Sequence, residues 1–115
     1  MDTHIDFRPD DTERLMNVAE IRELIQQYRG RPMILCGDFN DTPGSRTYQG
    51  IAEHFTDAWA AVGAGDGFTI PAAKPRKRID FIWIPKGALL VPVKAWVPES
   101  AASDHLPVVA ELRLQ

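Results

Sequence analysis

Leu15, Val18, Ile21, Leu24, Ile25 and Tyr28 recur at three- and four-residue spacing, which puts them on one stripe of a helix. Glu13, Arg14, Glu20, Arg22, Glu23, Gln26 and Gln27 fill much of the remainder. Asp10, Asp11 and Thr12 offer N-cap side chains ahead of this run and Gly30 stops it, so a helix is expected over Asp11 to Arg29. Asp2 to Phe7, just before it, reads as a strand. Pro32 to Cys36 is short, continuously apolar and bounded by turn residues, the pattern of a strand buried on both faces. A Pro43-Gly44 turn then leads to a short helix within Thr42 to Glu53 that packs Tyr48 and Ile51, with Phe55, Ala58 and Trp59 adding core. Gly63 to Arg78 shifts to Gly, Pro, Ala and Lys and reads as one long loop. Ile79 to Ile84 and Leu89 to Val97 are strands by their β-branched and aromatic content, and Pro107 to Leu114 alternates as a last strand. The order indicates an α+β chain, with one mostly antiparallel or mixed sheet carrying the long helix on one face. Trp59, Trp83 and Trp96 each fall in an element expected to pack, so core is the reading for all three.

Composition narrows the picture. A soluble globular chain of 115 residues, 44% hydrophobic and 25% charged, is one domain or less. It buries somewhat under ~70% of its unfolded surface, enough for a modest two-layer core and an open site rather than an enclosed cavity. The net charge of -3 gives no general attraction to nucleic acid. Polyanion binding would need a local patch, for which Lys74-Pro75-Arg76-Lys77-Arg78 is the candidate and a solvated loop the alternative. Cys36 has no partner for an internal disulfide and reads as a small hydrophobe in its apolar run. The chain shows no signal or transit peptide and no stretch of 18 apolar residues, so a cytoplasmic protein is expected.

Four polar clusters fall at the edges of expected strands: Thr3-His4, Asp38 with Asn40, Asp80, and Ser103-Asp104-His105. Carboxylates, an amide and imidazoles are the groups that a hard cation and a phosphate ester require. The cation takes oxygen ligands, and histidine supplies a donor to phosphate. Each cluster alone has a plainer explanation: Asp-x-Asn makes ordinary turns, and a lone histidine is commonly a packing or surface residue. Together they predict that Asp38, Asn40, Asp80, Asp104 and His105 converge on one face at the C-terminal ends of strands.

The chain also resembles the endonuclease/exonuclease/phosphatase superfamily, the deoxyribonuclease-I-like proteins. The motifs that carry the resemblance run in order: Thr3-His4, an Arg (Arg14) in the helix, Gly-Asp-Phe-Asn at Gly37 to Asn40, Arg-Ile-Asp-Phe-Ile-Trp at Arg78 to Trp83, and Ser-Asp-His-Leu-Pro-Val at Ser103 to Val108. The resemblance implies that Asp38 positions and polarises the attacking water, and that Asn40 bonds the scissile phosphate or the nucleophile. It implies that Asp104, with Asp38, serves Mg²⁺ or Mn²⁺, that His105 contacts the phosphate while Asp80 orients its ring, and that His4 is a second phosphate-contacting histidine.

The same resemblance implies a four-layer αββα sandwich of which residues 1–115 are the C-terminal half. The first-half Asn and Glu metal ligands, and an acidic partner for His4, have no counterpart here. Something should then cover the sheet's free face, either a second copy in a homodimer or a complementary N-terminal half. Three functions stay open: a metal-dependent phosphoesterase that needs the other half, a non-catalytic dimerising half-domain, and a nucleic-acid module using the Lys74 to Arg78 loop. The substrate class implied is a phosphate ester of nucleic acid, phospholipid head group or small nucleotide.

Overall fold

The expected long helix forms over Thr12–Gln27 (α1) in the computed structural model, which describes residues 1–115. Its start is held by Asp10, whose Oδ1 accepts from the Thr12 amide at 2.7 Å, while Asp11 makes no cap bond. Asp11 instead takes both donors of Arg46 at 2.6 and 3.0 Å. Arg46 opens α2 (Arg46–Ala52), so this fork ties the two helices together. Val18 and Ile21 are buried as the stripe requires, but Leu24 and Tyr28 in the last turn are 37% and 44% exposed. Between them the stripe buries one unexpected residue, Arg14, which is only 5% exposed.

Four strands make one sheet in the order β1 (Asp2–His4), β2 (Leu35–Asp38), β4 (Asp80–Pro85), β3 (Phe55–Asp57). β1 runs parallel to β2; β4 runs antiparallel to both β2 and β3. Alternation then decides the faces. Leu35, Phe55, Phe81 and Trp83 point under α1 and α2, where they join Ile5, Val18, Ile21, Phe39 and Ile51 in the core. Trp83 is the centre of that core, with the Tyr48, Phe81 and Phe39 rings 5.0, 5.4 and 6.2 Å away. Cys36, Asp38, Asp80 and Ile82 point the other way and line an open groove of about 880 Å³. The Pro32 to Cys36 segment is therefore not buried on both faces. Its strand begins at Leu35, and Ile34 is 36% exposed.

The remaining strands, β5 (Leu90–Trp96) and β6 (Val109–Leu114), pair with each other as a separate two-stranded ribbon rather than extending the sheet. Pro92 removes a donor from β5, and the register slips between Pro92 and Lys94, which twists the ribbon away. A short helix, α3 (Ala58–Val62), capped by Asp57 Oδ1 on the Trp59 amide at 3.0 Å, packs against β5. Trp96 departs from the core reading: it is 38% exposed, with the Lys94 ammonium 4.8 Å above its ring. No helix is long and apolar enough to cross a membrane.

Gly37 allows the closest approach in the sheet. Its φ is 145°, and a Cβ built there would lie 1.8 Å from the Thr3 carbonyl oxygen. Any side chain must push β1 off β2. Gly37→Ala should cost about 3 kcal/mol or more and lower the melting temperature by about 10 °C or more. A variant melting within 2 °C of the parent would show that the β1–β2 contact yields easily.

Candidate active site

Strand register assembles the polar face of the groove. Asp38 sits directly across from Asp80 on β4, and His4 directly across from Asp38 on β1. His105 enters from the loop before β6, and its Nδ1–H donates to Asp80 Oδ2 at 2.8 Å. Its Nε2 then lies 3.7 Å from Asp38 Oδ2, and His4 Nε2 lies 3.5 Å from that same oxygen. Asp38 Oδ2 is thus flanked by two imidazoles. Asp38 Oδ1 is occupied separately, accepting from the Asn40 amide at 2.8 Å.

Asn40 turns back under the sheet edge with φ 47°, a conformation that asparagine tolerates better than most residues. Its Nδ2 donates to the Ile5 carbonyl at 2.7 Å, leaving the other N–H and Oδ1 for further partners. The next residue, Asp41, anchors this loop from behind. Asp41 Oδ2 accepts from buried Arg14 Nε at 3.1 Å and from Thr47 Oγ1 at 2.9 Å. Arg14 also donates to the carbonyls of Asp6 and Arg8. One guanidinium therefore fixes the loop after β1 and the loop after β2 to the same helix.

A second anchor comes from the segment read as a plain loop. Thr69 is fully buried, and its hydroxyl donates to Asp80 Oδ2 at 2.6 Å, the same oxygen that holds His105. Around it the loop folds on itself: Thr69 and Ile70 donate to the Lys77 carbonyl at 2.8 and 3.2 Å, and Lys77 donates to the Ile70 carbonyl at 3.1 Å. Two further backbone bonds clip this turn to the histidine segment, Leu106 to the Thr69 carbonyl and Ala72 to the Asp104 carbonyl, both at 2.7 Å. Arg78, counted in the basic run, is removed from it by a 2.7 Å pair with buried Asp57, which also accepts from the Tyr48 hydroxyl at 2.8 Å.

The charges respond to this packing. Burial pushes the Asp38 carboxyl above the usual carboxylate range, opposed by the Asn40 amide and reinforced by Asp80, with His105 and His4 pulling back down. For His105, burial disfavours the imidazolium, but the Asp80 hydrogen bond and the charges of Asp80, Asp38 and Asp104 outweigh it and raise its pKa. His105 therefore holds its proton more firmly than an ordinary histidine.

Asp38, Asp80 and His105 present donor atoms within 4.8 Å of one another. This trio fits a divalent cation poorly as it stands, because Asp80 Oδ2 already takes His105 and Thr69 and the imidazole prefers that carboxylate. Asp104 is exposed and lies outside the trio, with only the Ser103 hydroxyl on it at 3.3 Å. It is the carboxylate with oxygens to spare. The structure thus brings together His4, Asp38, Asp80 and His105 along the groove, whereas Asn40, bonded through its backbone amide to Asp38, and Asp104, beside His105 in sequence, are not among the residues that line it. Contrary to the expectation of strand C-termini, Asp80 begins its strand, since β4 runs antiparallel to β2. Thr69 and Asp41 were missed; each is a short polar residue in a turn-rich stretch whose partner lies 11 or 27 positions away.

Residues 2–105 match the model of the "Endonuclease/Exonuclease/phosphatase family". Among solved structures, an endonuclease/exonuclease/phosphatase from Bacteroides vulgatus superposes with a TM-score of 0.83 at 26% identity, covering 97% of this chain and 48% of that one. The mannosyl-6-phosphatase of Bacteroides thetaiotaomicron gives 0.84 at 19% identity, over 98% and 50%. The human Nocturnin catalytic domain with bound sulfate gives 0.73 at 25% identity, over 99% and 46%. The chain spans about half the length of these structures. Among curated proteins none matches it. The motif order, the sheet with its polar edge and the extent of the family match together show that the chain belongs to the endonuclease/exonuclease/phosphatase family.

Proposed function

We propose that this chain supplies the phosphate-binding and water-activating half of a metal-dependent phosphoesterase. The observation that carries the reading is the convergence of two imidazole Nε2 atoms on Asp38 Oδ2, one of them locked by Asp80. A phosphate ester seated between His4 and His105 would place its phosphorus above that oxygen. Water held by Asp38 attacks in line, its proton passes to Oδ2, and the opposite P–O ester bond breaks, its oxygen taking a proton from solvent. Burial favours Asp38 as a base by raising its proton affinity. Protonated His105 donates from Nε2 to the non-bridging oxygens as negative charge builds on them. Asn40 bonds the phosphate or the water through the N–H that Ile5 leaves free. A divalent cation, Mg²⁺ or Mn²⁺, would contribute charge neutralisation on the phosphate, and Asp104 with Asp38 are the oxygen donors this chain offers it.

Those donors leave the coordination sphere short, so the reading includes a complementary N-terminal half that adds ligands and roofs the groove. The relatives support phosphate esters as the substrate class: one is named a phosphatase of a mannosyl 6-phosphate, and another held sulfate, a tetrahedral oxyanion like phosphate. The groove face also favours a second reading, in which the chain is a dimerising half-domain. Ile82 and Val108 line that face beside the polar edge, each only half-buried, and offer apolar area to a second copy. Light scattering at micromolar concentration should then report twice the monomer mass. A monomer that binds no apolar dye removes this second reading.

Hydrolysis of bis(p-nitrophenyl) phosphate with Mg²⁺ should be far slower for the chain alone than with a complementary half, and Asp38→Ala or His105→Ala should lower the combined rate by about 10²- to 10⁴-fold. Equal turnover by the chain alone, abolished in Asp38→Ala, would overturn the need for a second half. Unchanged turnover in both variants would overturn the site.

Histidine titration checks the wiring without turnover. In chain freed of divalent ions by chelation, the His105 ring should titrate above 6.5 by NMR, and Asp80→Asn should bring the midpoint down. Because the folded pKa is raised, this ion pair stabilises fully below the ordinary histidine value, and its contribution fades as pH rises through the folded midpoint. A midpoint unaffected by Asp80→Asn would show that the carboxylate does not hold the imidazolium.

A further inference from the structure

A second concavity, of about 480 Å³, lies at the other end of the sheet, between the end of α1, the link into β2, His54 after α2 and the turn joining β4 to β5. Strand β4 connects the two regions, with Asp80 at the candidate active site and Pro85 on this groove. Five steps of about 3.3 Å separate them by about 16 Å, so the groove shares no residue with that site. Its lining contains Arg29, Arg31, Lys86 and His54 and no carboxylate. None of Arg29, Arg31 and Lys86 enters an ion pair. The neighbouring acid, Glu53, is outside the lining and shared between Arg22 at 3.5 Å and His54 at 4.0 Å. The Lys86 amide donates to the His54 carbonyl at 2.9 Å, which fixes the turn against the end of α2.

The carbonyl end of α1 favours cations nearby and accounts for Arg29 and Arg31 on that end. It does not account for Lys86, which comes from a different element and faces the same hollow. Three unpaired cations around one concavity repel each other, and in a chain of net charge -3 their segregation is not a consequence of composition. An anion in the hollow removes that repulsion. Guanidinium groups fork onto phosphate oxygens and an ammonium adds a point charge, so phosphate is the matching chemistry, and one phosphate alone would leave positive charge over. The volume is that of a small-ligand pocket, and Tyr28 supplies a ring at its wall, 44% exposed.

We propose that this groove is a second ligand site, separate from the phosphoesterase site, which takes a group carrying several phosphate charges. The inference stands on the groove alone and survives failure of the catalytic reading. Each of the three histidines reports one region, His54 the groove and His4 and His105 the active site. Titrating the chain with sodium tripolyphosphate at low salt should shift the His54 ring and the Lys86 amide saturably, with a Kd on the order of 0.1 mM, before His4 or His105 moves. Arg31→Glu and Lys86→Glu, both at exposed positions, should each weaken binding about tenfold or more while the rest of the amide spectrum stays in place. Cosedimentation with phosphatidylcholine vesicles containing phosphatidylinositol 4,5-bisphosphate but not with plain phosphatidylcholine vesicles, lost in Lys86→Glu, would assign the phosphates to a lipid head group. Tripolyphosphate binding without cosedimentation would assign them to a free ligand. Shifts that never saturate, shifts confined to His4 and His105, or parental affinity in both variants would overturn the proposal.

Discussion

Two carboxylates placed directly opposite each other on adjacent antiparallel strands should push those strands apart, and Asp38 and Asp80 are such a pair. The sheet tolerates them because each is claimed by different donors. Asp80 Oδ2 receives the His105 ring and the Thr69 hydroxyl, and Asp38 Oδ1 receives the Asn40 amide. That division leaves Asp38 Oδ2, the oxygen that both His4 and His105 approach, without a close donor. The arrangement that makes the strand pair tolerable is therefore the one that leaves a carboxylate oxygen open to the groove. Loss of any of the three donors would return charge repulsion to the β2–β4 ladder, so the stability of the strand pair rests on the bonds that shape the groove edge.

The supports are layered by distance in sequence. Asn40 reaches its carboxylate across two residues, and a turn alone provides that bond. Thr69 and His105 reach Asp80 across 11 and 25 residues and need the folded turn of Thr69 to Lys77, which clips itself to Asp104 and Leu106 through backbone bonds. Arg14 reaches Asp41 across 27 residues and desolvates almost fully in doing so. A buried guanidinium is retained at a cost unless its donors are filled, and here Asp41, Asp6 and Arg8 fill them. Its structural return is to hold the loops that follow His4 and Asp38 against one rigid helix.

This layering explains which parts were legible in the sequence. Asp38, Asn40, Asp80 and His105 stood at strand boundaries that apolar patterning marks well, so their convergence followed once the strands were placed. The helix of α1 was equally plain, although its stripe could not reveal that Arg14 would be buried beneath it. Thr69, Asp41 and the Asp57–Arg78 pair left no comparable trace, since a polar residue in a turn-rich segment looks the same whether it faces water or a partner far away in sequence. The partial exposure of the Pro32 to Cys36 run is hidden from the sequence for a related reason. Continuous apolar residues signal hydrophobicity on two faces, but they do not say whether both faces find cover within the chain, and Ile34 and Cys36 do not. The ribbon of β5 and β6 stands apart from the four-stranded sheet, and alternation alone does not encode sheet membership.

The open groove also sets how strong the chemistry can be. His4 is 73% exposed on its side chain, whereas His105 is 27% exposed, and both approach Asp38 Oδ2 at similar distances. The same separation is worth several times more in a partly buried setting than in water, because the effective dielectric falls as solvent is excluded. His105 therefore acts on Asp38 more strongly than the more exposed His4 does. A body laid over the groove would change that balance without moving a single bond: it would dry His4, strengthen its pull on the shared oxygen, and bring any bound phosphate into the low-dielectric setting where donors stabilise developing charge. The distances between His4, His105 and Asp38 are thus set by the sheet, while the strength of their interactions is set by how much water reaches the groove.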